Sequence, residues 1–113
     1  MKTSESLEQA QFFAWVKKHM AQYPIFSIPN GGYRTATAAA RMKMEGLMPG
    51  VPDIFVAVVP GLFIEMKAQG GRLSEAQKTM IERLRGQGYA VAVCEGCEQA
   101  QVALIEYLEG RSK

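Results

Sequence analysis

The chain reads as an α/β fold, a mixed central sheet flanked by helices, on three observations. Residues 50–67 hold the longest apolar run, and the turn signal Pro60-Gly61 divides it into a hairpin of buried strands. Segments of helical periodicity stand before and after that hairpin. A last apolar strand, 89–94, follows a helix, so it enters the sheet through a crossover and lies parallel to a neighbour.

The totals set the class. At 113 residues the chain is expected to be one domain, 1–113, with a core that needs no staples. Charged residues at 21% and hydrophobic residues at 48% exclude a disordered chain. A net charge of +2 does not by itself demand a polyanion partner. Its distribution says more: Arg34, Arg41 and Lys43 face only Glu45 between Tyr33 and Met48, which makes a weak basic face. The polar, mixed-charge N-terminus does not resemble a signal peptide, and no apolar run reaches the ~18 residues of a membrane span. The expectation is a cytoplasmic protein. Cys94 and Cys97 form a C-x-x-C, which suits a redox pair or half a zinc site. A zinc site needs two more ligands, and His19 is the single histidine. The preferred reading is two small semi-buried residues, one ending a strand and one starting a helix.

The first helix is capped by Ser4 or Ser6 and runs to about residue 20, with Phe12, Val16 and Met20 inward. Glu8 sits one turn before Phe12 on the edge of that stripe. It is either a first-turn acid that suits the helix dipole or a carboxylate aimed at a site, with Glu5 the fallback for that role. A short strand, 25–28, leads to the turn Pro29-Asn30-Gly31-Gly32, whose backbone N–H groups are candidates for phosphate contact. Thr35 or Thr37 caps an Ala-rich helix of about ten residues carrying Arg41 and Lys43, which suit a phosphate backbone or a solvated face. After the hairpin, Ser74-x-x-Gln77 is a capping box opening a helix to about residue 85. Gln77 lies on its inward side, as a cap, a contact to the hairpin, or a phosphate ligand. A closing helix spans 98–108, with Ala100, Leu104 and Leu108 inward, and a polar tail follows.

The hairpin carries the chemistry. Glu65 and Lys67 are two apart and share a strand face, with Met66 on the other. A two-residue loop at Pro60-Gly61 turns Asp53 away from them. A three- or five-residue loop sets Phe55 opposite Glu65 and Asp53 opposite Lys67, so that all three charges share a face. Such a set suits a divalent cation: Asp53 and Glu65 as hard oxygen ligands, the Met66 carbonyl as a further one, and Lys67 to orient water or stabilise developing charge.

Pro52-Asp53, eleven residues, then Glu65-Met66-Lys67 is a PD…E-x-K pattern. With Glu8-Gln9, Ile28-Pro29-Asn30-Gly31-Gly32 and Arg34, Leu73-Ser74-Glu75-Ala76-Gln77-Lys78 and Gly88-Tyr89-Ala90-Val91, it resembles the virus-type replication-repair nuclease (VRR-NUC) domain of the PD-(D/E)XK superfamily. The resemblance covers nearly the whole chain. It implies a restriction-endonuclease-like fold and a Mg²⁺- or Mn²⁺-dependent DNA endonuclease, with Glu8, Asp53, Glu65 and Lys67 as the catalytic set and Glu8 among the metal ligands. It also implies a homodimer that cuts branched DNA such as four-way junctions, in a phage or bacterial setting, with no membrane or organic cofactor. Asn30, Gly31, Arg34, Arg41 and Gln77 are the expected substrate contacts. The alternatives are a nucleic-acid-binding module that keeps the fold without catalysis, and a thiol-redox protein using Cys94 and Cys97.

Overall fold

The hairpin at the centre of the chain closes through five residues, 57–61, between strands β2 (Ile54–Val56) and β3 (Leu62–Lys67). Pro60 has no N–H to give a ladder, which keeps the tip out of the sheet. The far end of the chain holds this tip: the Tyr107 hydroxyl donates to the Pro60 carbonyl, and Arg111 Nη1 donates to the Val59 carbonyl at 3.2 Å. The five-residue loop is one of the two lengths the sequence requires for a shared face. Its register differs from the expected one by two residues. Phe55 pairs with Phe63 and Ile54 with Ile64, so one further step sets Asp53 level with Glu65 rather than Lys67. Because the side-chain period is two, that shift leaves Asp53, Glu65 and Lys67 on the same face.

The structure, a computed structural model, describes residues 4–29 and 35–111. The remaining elements are α1 (Glu5–His19), β1 (Ile25–Ser27), α2 (Ala36–Met44), α3 (Glu75–Gly86), β4 (Ala90–Glu95) and α4 (Cys97–Arg111). The sheet order is β1-β2-β3-β4, antiparallel through the first three strands and parallel between β3 and β4. The fold is therefore the mixed α/β arrangement that the helix–strand alternation predicts, with α3 as the crossover.

Three layers follow from the period-two alternation of the strands. Ile54, Val56, Ile64 and Met66 point to the face that α1 and α4 cover, where they bury against Phe12, Val16, Ala100 and Leu104. Each large apolar side chain removed from water there contributes ~1.5–3 kcal/mol. Phe12 is fully buried at the centre of this layer, so Phe12→Ala costs ~3–5 kcal/mol. On the other face α3 buries Met80 and Ile81 beside Val91 of β4, and Arg85 Nη2 donates to the Val91 carbonyl at 2.8 Å.

The caps sharpen the helix starts. Ser4, not Ser6, caps α1, accepting the Leu7 N–H at 3.1 Å. Thr35 caps α2, which buries none of its residues. The Ser74–Gln77 box of α3 is complete in both directions. Among the described residues, no helix is long and apolar enough to cross a membrane.

Candidate active site

Glu65 stands on the α3 face of β3 and is 2% exposed, the one charged residue buried in the core among the described residues. A buried carboxylate is costly unless something compensates it. Here compensation is partial. Gln77 Nε2 donates to Glu65 Oε2 at a long 3.4 Å, while Oε1 is buried without any hydrogen-bond partner. Asp53 lies beside it, close enough for a carboxyl–carboxyl hydrogen bond. The Asp53 Oδ2 accepts the backbone N–H of Met66 at 2.8 Å, which fixes that side chain on β3.

The electrostatics follow. Burial pushes the Glu65 carboxyl up from 4.5 to about 8, with the Asp53 hydrogen bond and charge adding to the rise. Lys67 opposes it and Glu5 contributes to it, which places both charges within reach of the pair. At neutral pH Glu65 therefore favours its protonated form, the response of a carboxyl buried beside a second acid.

Four segments deliver these groups. The 50–53 loop brings Asp53, and it approaches α3 so closely that a Cβ on Gly50 falls 2.3 Å from the Ala76 carbonyl oxygen, with Gly50 at φ +85°. Strand β3 brings Glu65 and Lys67, and the first turn of α3 brings Gln77. The first turn of α1 adds Glu5, which with Gln9 and Asp53 lines a cleft of about 420 Å³.

Glu8 is elsewhere, and this corrects the expectation that it supplies the helix carboxylate. Its Oε1 accepts the backbone N–H of Cys97 at 2.7 Å, at the start of α4. The physical reason is local. Gly96 precedes that helix at φ +94° and has no side-chain oxygen with which to cap it. No pattern in the sequence marks this pairing, because Gly is itself an accepted residue at a helix start. Glu5, the fallback, is the α1 acid at the cleft.

The other expected contacts divide. Gln77 does reach the hairpin. Arg41 stands exposed in the last turn of α2. Asn30, Gly31 and Arg34 lie outside the described residues. Cys94 is buried in β4 and Cys97 opens α4, both as free thiols. Burial pushes the Cys94 thiol up from 9.0 to about 11, opposite to the lowered value a reactive thiol needs.

The family model of the VRR-NUC domain matches residues 3–98, most of the 113-residue chain. The chain belongs to the VRR-NUC family. A solved structure named as a VRR_NUC domain protein is similar to it, with a TM-score of 0.82 and 25% identity over 96% of this chain and 91% of that one. No curated protein matches the chain. A VRR-NUC domain is a nuclease-type domain.

The pair also passes a test for a divalent cation. Its donors are hard carboxylate oxygens, one of them buried and unpartnered, and the raised Glu65 value marks a proton that a cation would displace. Among the described residues, no group of three or more His, Cys, Asp or Glu is gathered to hold a metal. A cation held there would take its protein side-chain oxygens from the carboxyl pair alone.

Proposed function

We propose that this VRR-NUC domain is a Mg²⁺- or Mn²⁺-dependent endonuclease that hydrolyses phosphodiester bonds in branched DNA, four-way junctions foremost, as a homodimer. The observation that carries the reading is the buried Glu65 carboxyl beside the half-buried Asp53, with Lys67 on the same strand face. Asp53 and Glu65 would hold the cation, with the Met66 carbonyl as a further oxygen. When bound it would supply Lewis-acid polarisation of the phosphodiester and a lowered pKa for bound water.

The chain's own groups do the rest. Asp53 is held rigid by the Met66 N–H, so its carboxylate keeps one orientation. Lys67 places a positive charge beside the pair, where it orients a water and offsets charge that develops on the phosphate oxygens. Glu5 takes the helix-carboxylate role. Arg41, with Asn30, Gly31 and Arg34, grips phosphates along the strand. Two-fold symmetry would present two such sites to two strands of a junction. A binding module without catalysis is the lesser reading, since unneutralised carboxylates repel phosphates and a module for binding alone gains nothing from burying Glu65 beside Asp53.

The test is cleavage of a labelled panel of duplex, flap, single strand and four-way junction, with Mg²⁺, Mn²⁺ or EDTA. Metal-dependent junction cutting, lost in Asp53→Ala and Lys67→Ala, is the expected result. DNA binding without cleavage of any substrate supports the binding module. Gel filtration with light scattering reads the dimer.

A further inference from the structure

We infer that Gln77 is a positioning residue for Glu65, oriented by the capping box of its own helix rather than by substrate. The inference rests on the nuclease reading only for its consequence; the geometry stands without it.

The backbone N–H of Ser74 can only donate, and it donates to Gln77 Oε1 at 2.8 Å. An amide has one oxygen and one nitrogen, so fixing the oxygen fixes the NH₂ on the opposite side. That NH₂ meets Glu65 Oε2 at 3.4 Å. The Ser74 Oγ accepts the Gln77 N–H in return at 3.1 Å, so the side chain is held at both ends of the box. Rotating the amide would set its NH₂ against the Ser74 N–H and its oxygen against a carboxylate, losing two hydrogen bonds at once.

The box therefore makes the two oxygens of Glu65 unequal. Oε2 is held by a donor, and Oε1 is left buried without one. The same turn of α3 also meets the loop that carries Asp53, through the close approach of Gly50 to the Ala76 carbonyl. One helix start thus sets the positions of both carboxylates: Asp53 through the backbone, Glu65 through the amide. Gln77 accordingly acts on the metal-holding oxygens through Glu65, and the expectation that it binds substrate gives way to this role.

Ser74→Ala and Gln77→Met separate capping from positioning. Each removes one half of the box, so both lower the thermal stability of the metal-free protein. Ser74→Ala keeps the backbone N–H that orients the amide. Gln77→Met keeps the volume and loses the donor. Calorimetric titration with Mn²⁺ should give Ser74→Ala an affinity within about twofold of the original and Gln77→Met a loss of about tenfold, the scale of losing an outer-sphere partner. Junction cleavage should divide the same way. Crystal structures of the two variants should show the Glu65 carboxyl turned in Gln77→Met and unmoved in Ser74→Ala. Equal Mn²⁺ affinities for the two variants, or an unmoved Glu65 in Gln77→Met, would overturn the inference. If the unaltered protein binds no Mn²⁺, the nuclease reading falls, and the orientation of Glu65 in the two crystal structures still decides the role of Gln77.

Discussion

The Met66 N–H donates to Asp53 Oδ2 at 2.8 Å, so the acid that precedes β2 is fastened to the strand that carries Glu65. The two carboxyls cannot drift apart to relieve their repulsion. Whatever relief they find must come from a proton, a cation or a substitution.

Asp53→Asn supplies the third kind of relief. The Asn oxygen still accepts the Met66 N–H, and the charge beside Glu65 is gone. At pH 8 in EDTA the variant should be more stable by about 1 kcal/mol, which raises the midpoint by ~4–8 °C. Cleavage should fall by about a hundredfold or more, since several kcal/mol of metal-derived stabilisation is lost. Scanning calorimetry and junction cleavage read the two effects.

The raised Glu65 value makes stability depend on pH with a definite sign. Between 4.5 and about 8 the folded state keeps a proton that the unfolded state releases. The contribution is therefore at its fullest below 4.5 and declines as pH rises toward 8, by at most about 1.4 kcal/mol per pH unit. Urea unfolding in EDTA at pH 5 to 8 should show this decline, Glu65→Gln should flatten it, and saturating Mg²⁺ should reduce it by replacing the proton.

Glu8 and Glu5 should separate structure from chemistry. Glu8→Ala strips the N–H of Cys97 of its acceptor and should cost ~1–2 kcal/mol, with cleavage by the folded protein retained. Glu5→Ala is an exposed change that should move stability by less than about 0.5 kcal/mol while slowing cleavage. Chemical denaturation alongside initial cleavage rates tests both.

Gly50 combines a left-handed backbone with contact against α3. Gly50→Ala should cost ~2–4 kcal/mol, because the methyl meets the Ala76 carbonyl and the φ of +85° is strained for Ala. Urea unfolding measures the cost, and a fall in the cleavage rate of the folded variant would register the displacement of Asp53.

Cys94 should be chemically silent. With its thiol pushed up to about 11 and its side chain in the core, iodoacetamide at pH 7.5 should label it only as fast as the protein unfolds. Cys94→Ala should cleave junctions at the original rate. Loss of activity in that variant, without loss of fold, would favour the thiol-redox alternative.

Much of this arrangement is legible in the residues, and the reasons for the rest are physical. The alternation of apolar segments predicts the strand–helix order, and period-two geometry predicts that Asp53, Glu65 and Lys67 share a face. Register is not legible in the same way. Moving the pairing from Phe55–Glu65 to Phe55–Phe63 changes no face, so no hydrophobic pattern distinguishes the two. Glu8 misleads because an acid in a first turn looks the same whether it serves its own helix, a site, or another helix. Its partner is the backbone N–H of Cys97, and a backbone group leaves no trace in sequence. The Ser74–Gln77 box is readable, but the direction of its amide toward Glu65 depends on how α3 lies over the sheet.

The bond from Glu8 to Cys97 has a consequence for synthesis. Its two ends are 89 residues apart. A ribosome adding ~5–20 residues per second needs several seconds to pass from one to the other. The hairpin that carries Asp53 and Glu65 closes in microseconds once it emerges. During translation the hairpin therefore closes on a chain whose α1 still shows Phe12 and Val16 to solvent or to a chaperone. The helix that shelters them, α4, is made only afterwards.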